Sequence, residues 1–241
     1  SYSVTGVQTC ALPISATYTL TVTGTLDVNG SLYITRLGTL ASGDIRVAGD
    51  IVTTCPTSNE TVTGRIIVDG TGNQSLNANG GSGTLPATVV VDKSGGTLTM
   101  ADSLVLFGDW TYTAGTVDAG NSTLVCDGYS MTITCGTMAF NDIDVRITNY
   151  HTLTANGPLN IAGDLTITEI AYMEGVFAVG GNLTSVDAGV AGSGSIILNG
   201  TGDQEILATE GDLPHGSITI DKTSGKAILV GDCDLDTAGQ T

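Results

Sequence analysis

Apolar residues alternate with threonine and other polar residues along most of the chain, as in Thr19-Leu20-Thr21-Val22-Thr23, Thr132-Ile133-Thr134 and Leu165-Thr166-Ile167-Thr168. Successive side chains of an extended strand point to opposite faces, so this period of two predicts half-buried β-strands. Between the alternating runs stand Asn29-Gly30, Asp69-Gly70, Asn79-Gly80, Asp127-Gly128, Asn156-Gly157 and Asn199-Gly200, pairs that accept a positive φ and mark tight turns. No window of helical length keeps the i, i+3, i+4 apolar spacing without a glycine. The pattern predicts about twenty strands of roughly four to six residues and no helix.

A longer pattern is laid over the alternation. Gly64-Arg65-Ile66-Ile67-Val68-Asp69-Gly70-Thr71-Gly72-Asn73-Gln74 returns as Gly194-Ser195-Ile196-Ile197-Leu198-Asn199-Gly200-Thr201-Gly202-Asp203-Gln204. Downstream, Leu85-Pro86 and Val89-Val90-Val91-Asp92-Lys93-Ser94-Gly95 return as Leu213-Pro214 and Ile218-Thr219-Ile220-Asp221-Lys222-Thr223-Ser224-Gly225. A weaker copy starts at Leu124-Val125-Cys126-Asp127-Gly128 and carries Arg146-Ile147 where the Asp-Lys pair should fall. The long units lie near residues 64–121, 122–193 and 194–241.

Inside them, strand centres at Val28, Val47, Ile67, Val90, Val105, Val125, Asp144, Thr166, Ile197 and Thr219 mostly step by about 14 to 23 residues, the length of one solenoid turn. Gly49-Asp50, Gly108-Asp109, Gly163-Asp164, Gly181-Asn182 and Gly231-Asp232 precede strands and mark corners. The expected fold is all-β: a parallel β-helix, or β-solenoid, of about eleven rungs over residues 16–241, each rung burying its apolar face against its neighbours. The alternative is a set of repeated antiparallel β-sandwich-like domains. It rests on Thr25-Leu26-Asp27-Val28-Asn29-Gly30-Ser31-Leu32-Tyr33-Ile34-Thr35, which reads locally as a hairpin.

Two resemblances follow. Val4-Thr5-Gly6-Val7-Gln8-Thr9-Cys10-Ala11-Leu12-Pro13-Ile14 resembles the translation of a sequencing-library adapter, so residues 1–15 are set aside as non-biological, the other reading being a short apolar N-terminal strand. The chain begins without Met and stops in mid-pattern, so a fragment truncated at both ends is expected. The order Gly-Thr-Gly-Asn-Gln, Leu-Pro, an apolar strand, Asp-Lys-Ser-Gly-Gly and Gly-Asp-Trp-Thr resembles the β-strand repeats of large secreted bacterial surface proteins, adhesin-like in the broad sense. It is clearest over Gly64 to Ser130 and Gly194 to Lys226. The resemblance implies an extracellular or cell-surface, elongated, right-handed β-helix with no catalytic residues, whose partners would be glycans or host and cell-surface proteins.

Charge narrows the partners. Seven Lys and Arg against 24 Asp and Glu leave a net charge of −17, which argues against nucleic acid or an anionic bilayer, since polyanions are bound by clustered cations. No segment reads as membrane-inserted. With Cys10 set aside, Cys55, Cys126, Cys135 and Cys233 remain. In an exported protein Cys126 and Cys135 are the best disulfide pair, both expected to face inward; the other reading is two free core thiols. Only two His and no C-x-x-C speak against structural zinc. Tandem G-G-x-G-x-D repeats for calcium are missing, since Gly80-Gly81-Ser82-Gly83 leads to Thr84, and only scattered Ca2+ sites stay open.

No catalytic, cofactor or metal residues are assigned, and the chain reads as a non-catalytic spacer or scaffold. The runner-up is a carbohydrate-binding or polysaccharide-cleaving β-helix. Its nearest chemistry is Asp142-Ile143-Asp144 with Arg146, polar groups on one strand face that otherwise read as a local ion pair. Trp110, Tyr112 and Tyr129 would be its stacking platform, although Trp110 at a corner also reads as a core plug. His151 and His215 read as surface turn residues. A minor alternative, ice binding, rests on Thr-x-Thr pairs at Thr21, Thr97, Thr111, Thr132, Thr152 and Thr166; outward threonine also serves β-propensity alone.

Overall fold

The computed structural model describes residues 10–11, 18–35, 37–55, 63–147, 150–170, 172–187, 189–208 and 212–231. These residues form strands and turns without a helix. No helix among them is long and apolar enough to cross a membrane. The chain divides into two compact units, Ser1–Thr123 and Leu124–Thr241.

Unit 1 contains β1 (Cys10–Ala11), β2 (Tyr18–Val28), β3 (Leu32–Ile34), β4 (Leu37–Val47), β5 (Ile51–Thr53), β6 (Arg65–Val68), β7 (Gln74–Asn77), β8 (Ser82–Leu85), β9 (Thr88–Met100), β10 (Ser103–Leu106) and β11 (Trp110–Asp118). One face runs β2-β4-β6 onto the first half of β9, and a second runs β1-β3-β5-β7 onto its second half. Strands β8 and β10 form a third face. Every pairing described is parallel and joins a strand to its equivalent one turn on. Apolar side chains therefore line up in columns: Leu26, Ile45, Ile66 and Val89 in one, Val28, Val47, Val68 and Val91 in the next. From Ile45 and Val47 onward these residues are at most 2% exposed. Full burial of such a side chain contributes about 1.5–3 kcal/mol, and in a solenoid it comes from the turns on either side.

Unit 2 opens within β12 (Thr123–Cys126). It continues through β13 (Met131–Thr134), β14 (Ala139–Phe140), β15 (Asp142–Arg146), β16 (Thr152–Ile161), β17 (Leu165–Glu169), β18 (Tyr172–Val179), β19 (Leu183–Ser185), β20 (Ser195–Leu198), β21 (Gln204–Ala208), β22 (Ile218–Ile220) and β23 (Ala227–Val230). Both β13 and β14 pair with β16, which leads to β18, β20 and β22. The second face runs β15-β17-β19-β21-β23. Its core columns repeat those of unit 1, with Leu159, Phe177, Ile196 and Ile218 in one and Ile161, Val179, Leu198 and Ile220 in the other.

The expected parallel β-solenoid is therefore the fold, and the antiparallel alternative is overturned. Asn29-Gly30 does not close a hairpin: β2 pairs with β4 and β3 with β5, and the Gly30 carbonyl accepts the Gly49 N–H one turn on at 3.0 Å. Local turn chemistry favoured the hairpin, but the columns bury more apolar surface. The described residues make about nine solenoid turns, close to the eleven expected. One surplus rung arose because Val90 and Val105, counted as separate rungs, lie on β9 and β10 of one turn. Of residues 1–15, only the two of β1 are described, paired in parallel with Leu32 and Tyr33.

Candidate functional site

The repeated sequence motif builds the most ordered polar cluster in each unit. In unit 1 the chain turns a corner at Asp69-Gly70-Thr71-Gly72-Asn73 and again, one turn later, inside β9 at Lys93-Ser94-Gly95-Gly96. Lys93 is only 2% exposed. Its Nζ donates to Gly70 O at 2.7 Å, Gly72 O at 2.9 Å and Gln74 Oε1 at 2.6 Å. Gln74 in turn donates from Nε2 to Val47 O at 2.9 Å and Gly49 O at 2.6 Å, so the pair clasps three successive turns. Burial pulls the Lys93 ammonium below the usual lysine range, and the charge of Asp69 opposes that shift. Three acceptors around one amine match the three donors of its charged form.

Unit 2 repeats the clasp. Lys222 Nζ donates to Gly200 O at 2.7 Å, Gly202 O at 2.9 Å and Gln204 Oε1 at 2.5 Å. Gln204 Nε2 donates to Val179 O at 2.9 Å and to Gly181 O. The glycine that follows each lysine corner is left-handed, with φ of 65° at Gly96 and 74° at Gly225. Beyond it, Thr97 N donates to Asn73 Oδ1 and Lys226 N to Asp203 Oδ1. The sequence displayed the repeat but not this role, because lysine and glutamine ordinarily signal a solvated surface.

The Gly49-Asp50, Gly163-Asp164 and Gly181-Asn182 corners each accept a backbone N–H from the next turn and add a ladder, whereas Asp232 of Gly231-Asp232 lies outside the described residues. Asp142 Oδ1 accepts the Asp164 N–H at 2.8 Å, Asp164 Oδ1 accepts the Asn182 N–H at 2.6 Å, and Asn182 Oδ1 accepts the Glu205 N–H at 2.8 Å. Asp142 is thus a corner residue, whereas Asp144 pairs with Arg146, Oδ2 to Nη2 at 2.5 Å, and accepts Thr168 Oγ1 at 2.7 Å. The expected ion pair is present. Sequence reading missed two neighbours: Glu169, held beside Arg146 by the β15–β17 register, and half-buried Asp127. Burial pushes the Asp127 carboxyl up; Arg146 opposes this, while Glu169 and Asp144 add to it. Neither neighbour stands near Asp144 in sequence, so no local signal joined them.

Since the folded-state value of Asp127 lies above its ordinary 3.8, the folded chain holds that proton more tightly and gains relative stability as pH falls toward 3.8. The Asp127→Asn variant is therefore expected to melt higher than the parent at pH 7, with the gap closing below about pH 4. A thermal melt series across that range checks it; a gap that is flat with pH contradicts the assignment.

Cys126 and Cys135 are both buried, as expected, and the structure holds them as free thiols rather than as a disulfide. Cys126 lies on β12, whereas Cys135 follows β13, which joins the β16 face, so the two thiols belong to different faces. Burial drives the Cys126 thiol far above its usual range, helped by the charges of Asp144 and Asp127. It raises Cys135 as well, against the Asn160 N–H donated to its Sγ at 3.4 Å. Neither is a poised nucleophile. Cys55 is buried, and Cys233 lies outside the described residues.

The remaining groups are dispersed. Trp110 is fully buried, a core plug rather than a stacking face, and Tyr112 donates its hydroxyl to Gly115 O at 2.6 Å. Tyr129 is exposed and meets His151 edge to face at 4.9 Å; His215 is exposed at a bend. Threonines stack two deep and then give way, Thr132 and Thr154 to Glu174, Thr166 and Thr184 to Leu207. A cleft of about 300 Å3 in unit 1 is lined by Asp27, Asn29, Arg46, Asp69 and Thr71 among others, with Arg46 Nη2 2.5 Å from Asp69 Oδ2. Among the described residues no three His, Cys, Asp or Glu side chains group to hold a metal ion. No protein-family model, curated protein or solved structure matches the chain.

Proposed function

We propose that the chain is a non-catalytic spacer or scaffold segment of a large secreted or cell-surface bacterial protein, adhesin-like in its repeats. The observation that carries this reading is the duplicated clasp. What the sequence repeats most faithfully is a device that ties one turn to the turns before it, with its amine and amide turned onto the protein's own backbone. The corner ladder likewise commits Asp142, Asp164 and Asn182 to backbone N–H groups. Repetition of cohesive parts suits a segment whose length matters more than any one position. A net charge of −17 keeps such a segment soluble.

One observation favours a second reading, a polysaccharide-cleaving β-helix: an Asp127 carboxyl raised beside the Asp144–Arg146 pair resembles the acid of a two-carboxylate site. A glycan array and a reducing-sugar assay on the full chain separate the two. The spacer reading expects neither retention nor release of reducing ends. Release that disappears in Asp127→Asn would replace it with the second reading, and binding without release would make the segment a glycan receptor.

A further inference from the structure

The chain holds the pairs Asn29-Gly30, Asn79-Gly80, Asn156-Gly157 and Asn199-Gly200. Such a pair can react with itself, because a glycine nitrogen has no Cβ beside it to keep it from the asparagine side chain. The fold holds two of them back. Gly80 N donates to Asp102 Oδ2 at 2.8 Å, and Gly200 N, on a buried residue, donates to Gln204 Oε1 at 2.9 Å inside the clasp. A nitrogen held in this way keeps its proton and directs it at that acceptor. In Asn29-Gly30 the glycine is half-buried, an intermediate case. Asn156-Gly157 stands apart. It lies in the middle of β16, where the pairing with β18 shifts register between Thr154 and Pro158, the pairing with β13 ends at Ala155 and the pairing with β14 starts at Asn160. Both residues are exposed, and Gly157 takes a left-handed φ of 83° with nothing within 4 Å of its Cβ position. Asn156 Nδ2 donates to Thr134 Oγ1 at 3.1 Å, a solvent-exposed bond that leaves the amide carbon open.

We propose that Asn156 is a site of spontaneous modification, converting by way of a cyclic imide to aspartate and isoaspartate while Asn79 and Asn199 stay intact. Solvent base takes the Gly157 amide proton, and the nitrogen attacks Asn156 Cγ. The new C–N bond closes the ring, the Cγ–Nδ2 bond breaks, and Nδ2 leaves as ammonia with a proton from water. Water then opens the imide at either carbonyl. One opening gives an ordinary aspartyl backbone, and the other routes the main chain through the former side chain. No oxidant or reductant is required. The converted position adds one negative charge to the net −17 and can no longer donate to Thr134 Oγ1. The extra main-chain atom of isoaspartate falls where β16 already skips pairing, so the flanking ladders keep their register. Beyond its role as a spacer, the segment thus carries a slow chemical clock at one corner.

Incubation of the full chain in mildly alkaline buffer, followed by proteolytic mapping of the Asn-Gly peptides and labelling with a protein isoaspartyl methyltransferase, tests this. Asn156 is expected to convert about tenfold or more faster than Asn79 or Asn199, the factor that a hydrogen bond to a carboxylate or a buried amide imposes on those two. In urea the three rates converge, since the advantage comes from the fold and not from the dipeptide. Asp102→Ala, which releases Gly80 N, raises conversion at Asn79 and leaves that at Asn156 unchanged. Should that variant fail to fold, the urea comparison on the parent chain decides. Conversion of Asn79 or Asn199 as fast as Asn156 in the native chain, or no conversion at Asn156, overturns the proposal. A preference for Asn156 that persists in urea overturns it as well, because local sequence would then be its source.

Discussion

Replacing Lys93 by methionine is expected to lower the stability of the fold by about 3–5 kcal/mol, because a buried donor is removed from three acceptors at once. Methionine fills much of the space of the lysine stem, so the loss isolates the amine. Gly70 O, Gly72 O and Gln74 Oε1 then stand without it where the lysine was 2% exposed, and water reaches them poorly. The equivalent Lys222→Met removes the same three bonds in a half-buried setting, where water substitutes, and about 1 kcal/mol is expected. Urea titrations of both variants give the comparison directly. Equal losses at the two sites, or a Lys93 loss under about 1 kcal/mol, would mean that the clasp behaves as a surface contact.

Gly96→Ala is expected to cost about 2–4 kcal/mol, the sum of a left-handed backbone, roughly 1–2 kcal/mol, and overpacking of similar size. At φ 65° an added Cβ points into the backbone of the previous turn, against the carbonyl of Gly72 and the N–H of Asn73. Those atoms belong to the clasp corner and cannot swing aside as a side chain would. Gly157 supplies the control: its φ is 83°, but the space around its Cβ position is open, so Gly157→Ala should show the conformational part alone, about 1–2 kcal/mol. If both variants melt alike, the close approach of the two corners carries no energetic weight. Hydrogen exchange at Thr97 N, which donates to Asn73 Oδ1, should accelerate in Gly96→Ala and stay unchanged in Gly157→Ala.

The alternation of Thr with Leu, Ile and Val made the strands legible, and the duplicated run through Gln74 and Gln204 made the solenoid legible, because both are properties of neighbouring residues in sequence. What pairs with what is a property of whole turns. Asn29-Gly30 has the chemistry of a hairpin and is a corner, since burial of Leu26 and Val28 against Ile45 and Val47 decides the partner. The ion pair of Asp144 with Arg146 lies within one strand and could be read directly. Asp127 joins them only through the fold, and the burial of Lys93 becomes visible only once the turns are stacked. The cysteines divide in the same way: that Cys126 and Cys135 face inward follows from alternation, whereas their separation onto two faces depends on which strands continue where.

The corner ladder of Asp142, Asp164, Asn182 and Glu205 joins residues that are 22, 18 and 23 positions apart. The bonded atoms keep the same geometry while the intervening chain gains or loses several residues. Turn length is thus decoupled from turn registration: the corner fixes where each coil starts over, and slack is taken up on the way round. Descendants of such a sequence can drift in length by insertion and deletion without slipping a strand. A search for a constant period will then see only the two copies in which the drift happens to coincide.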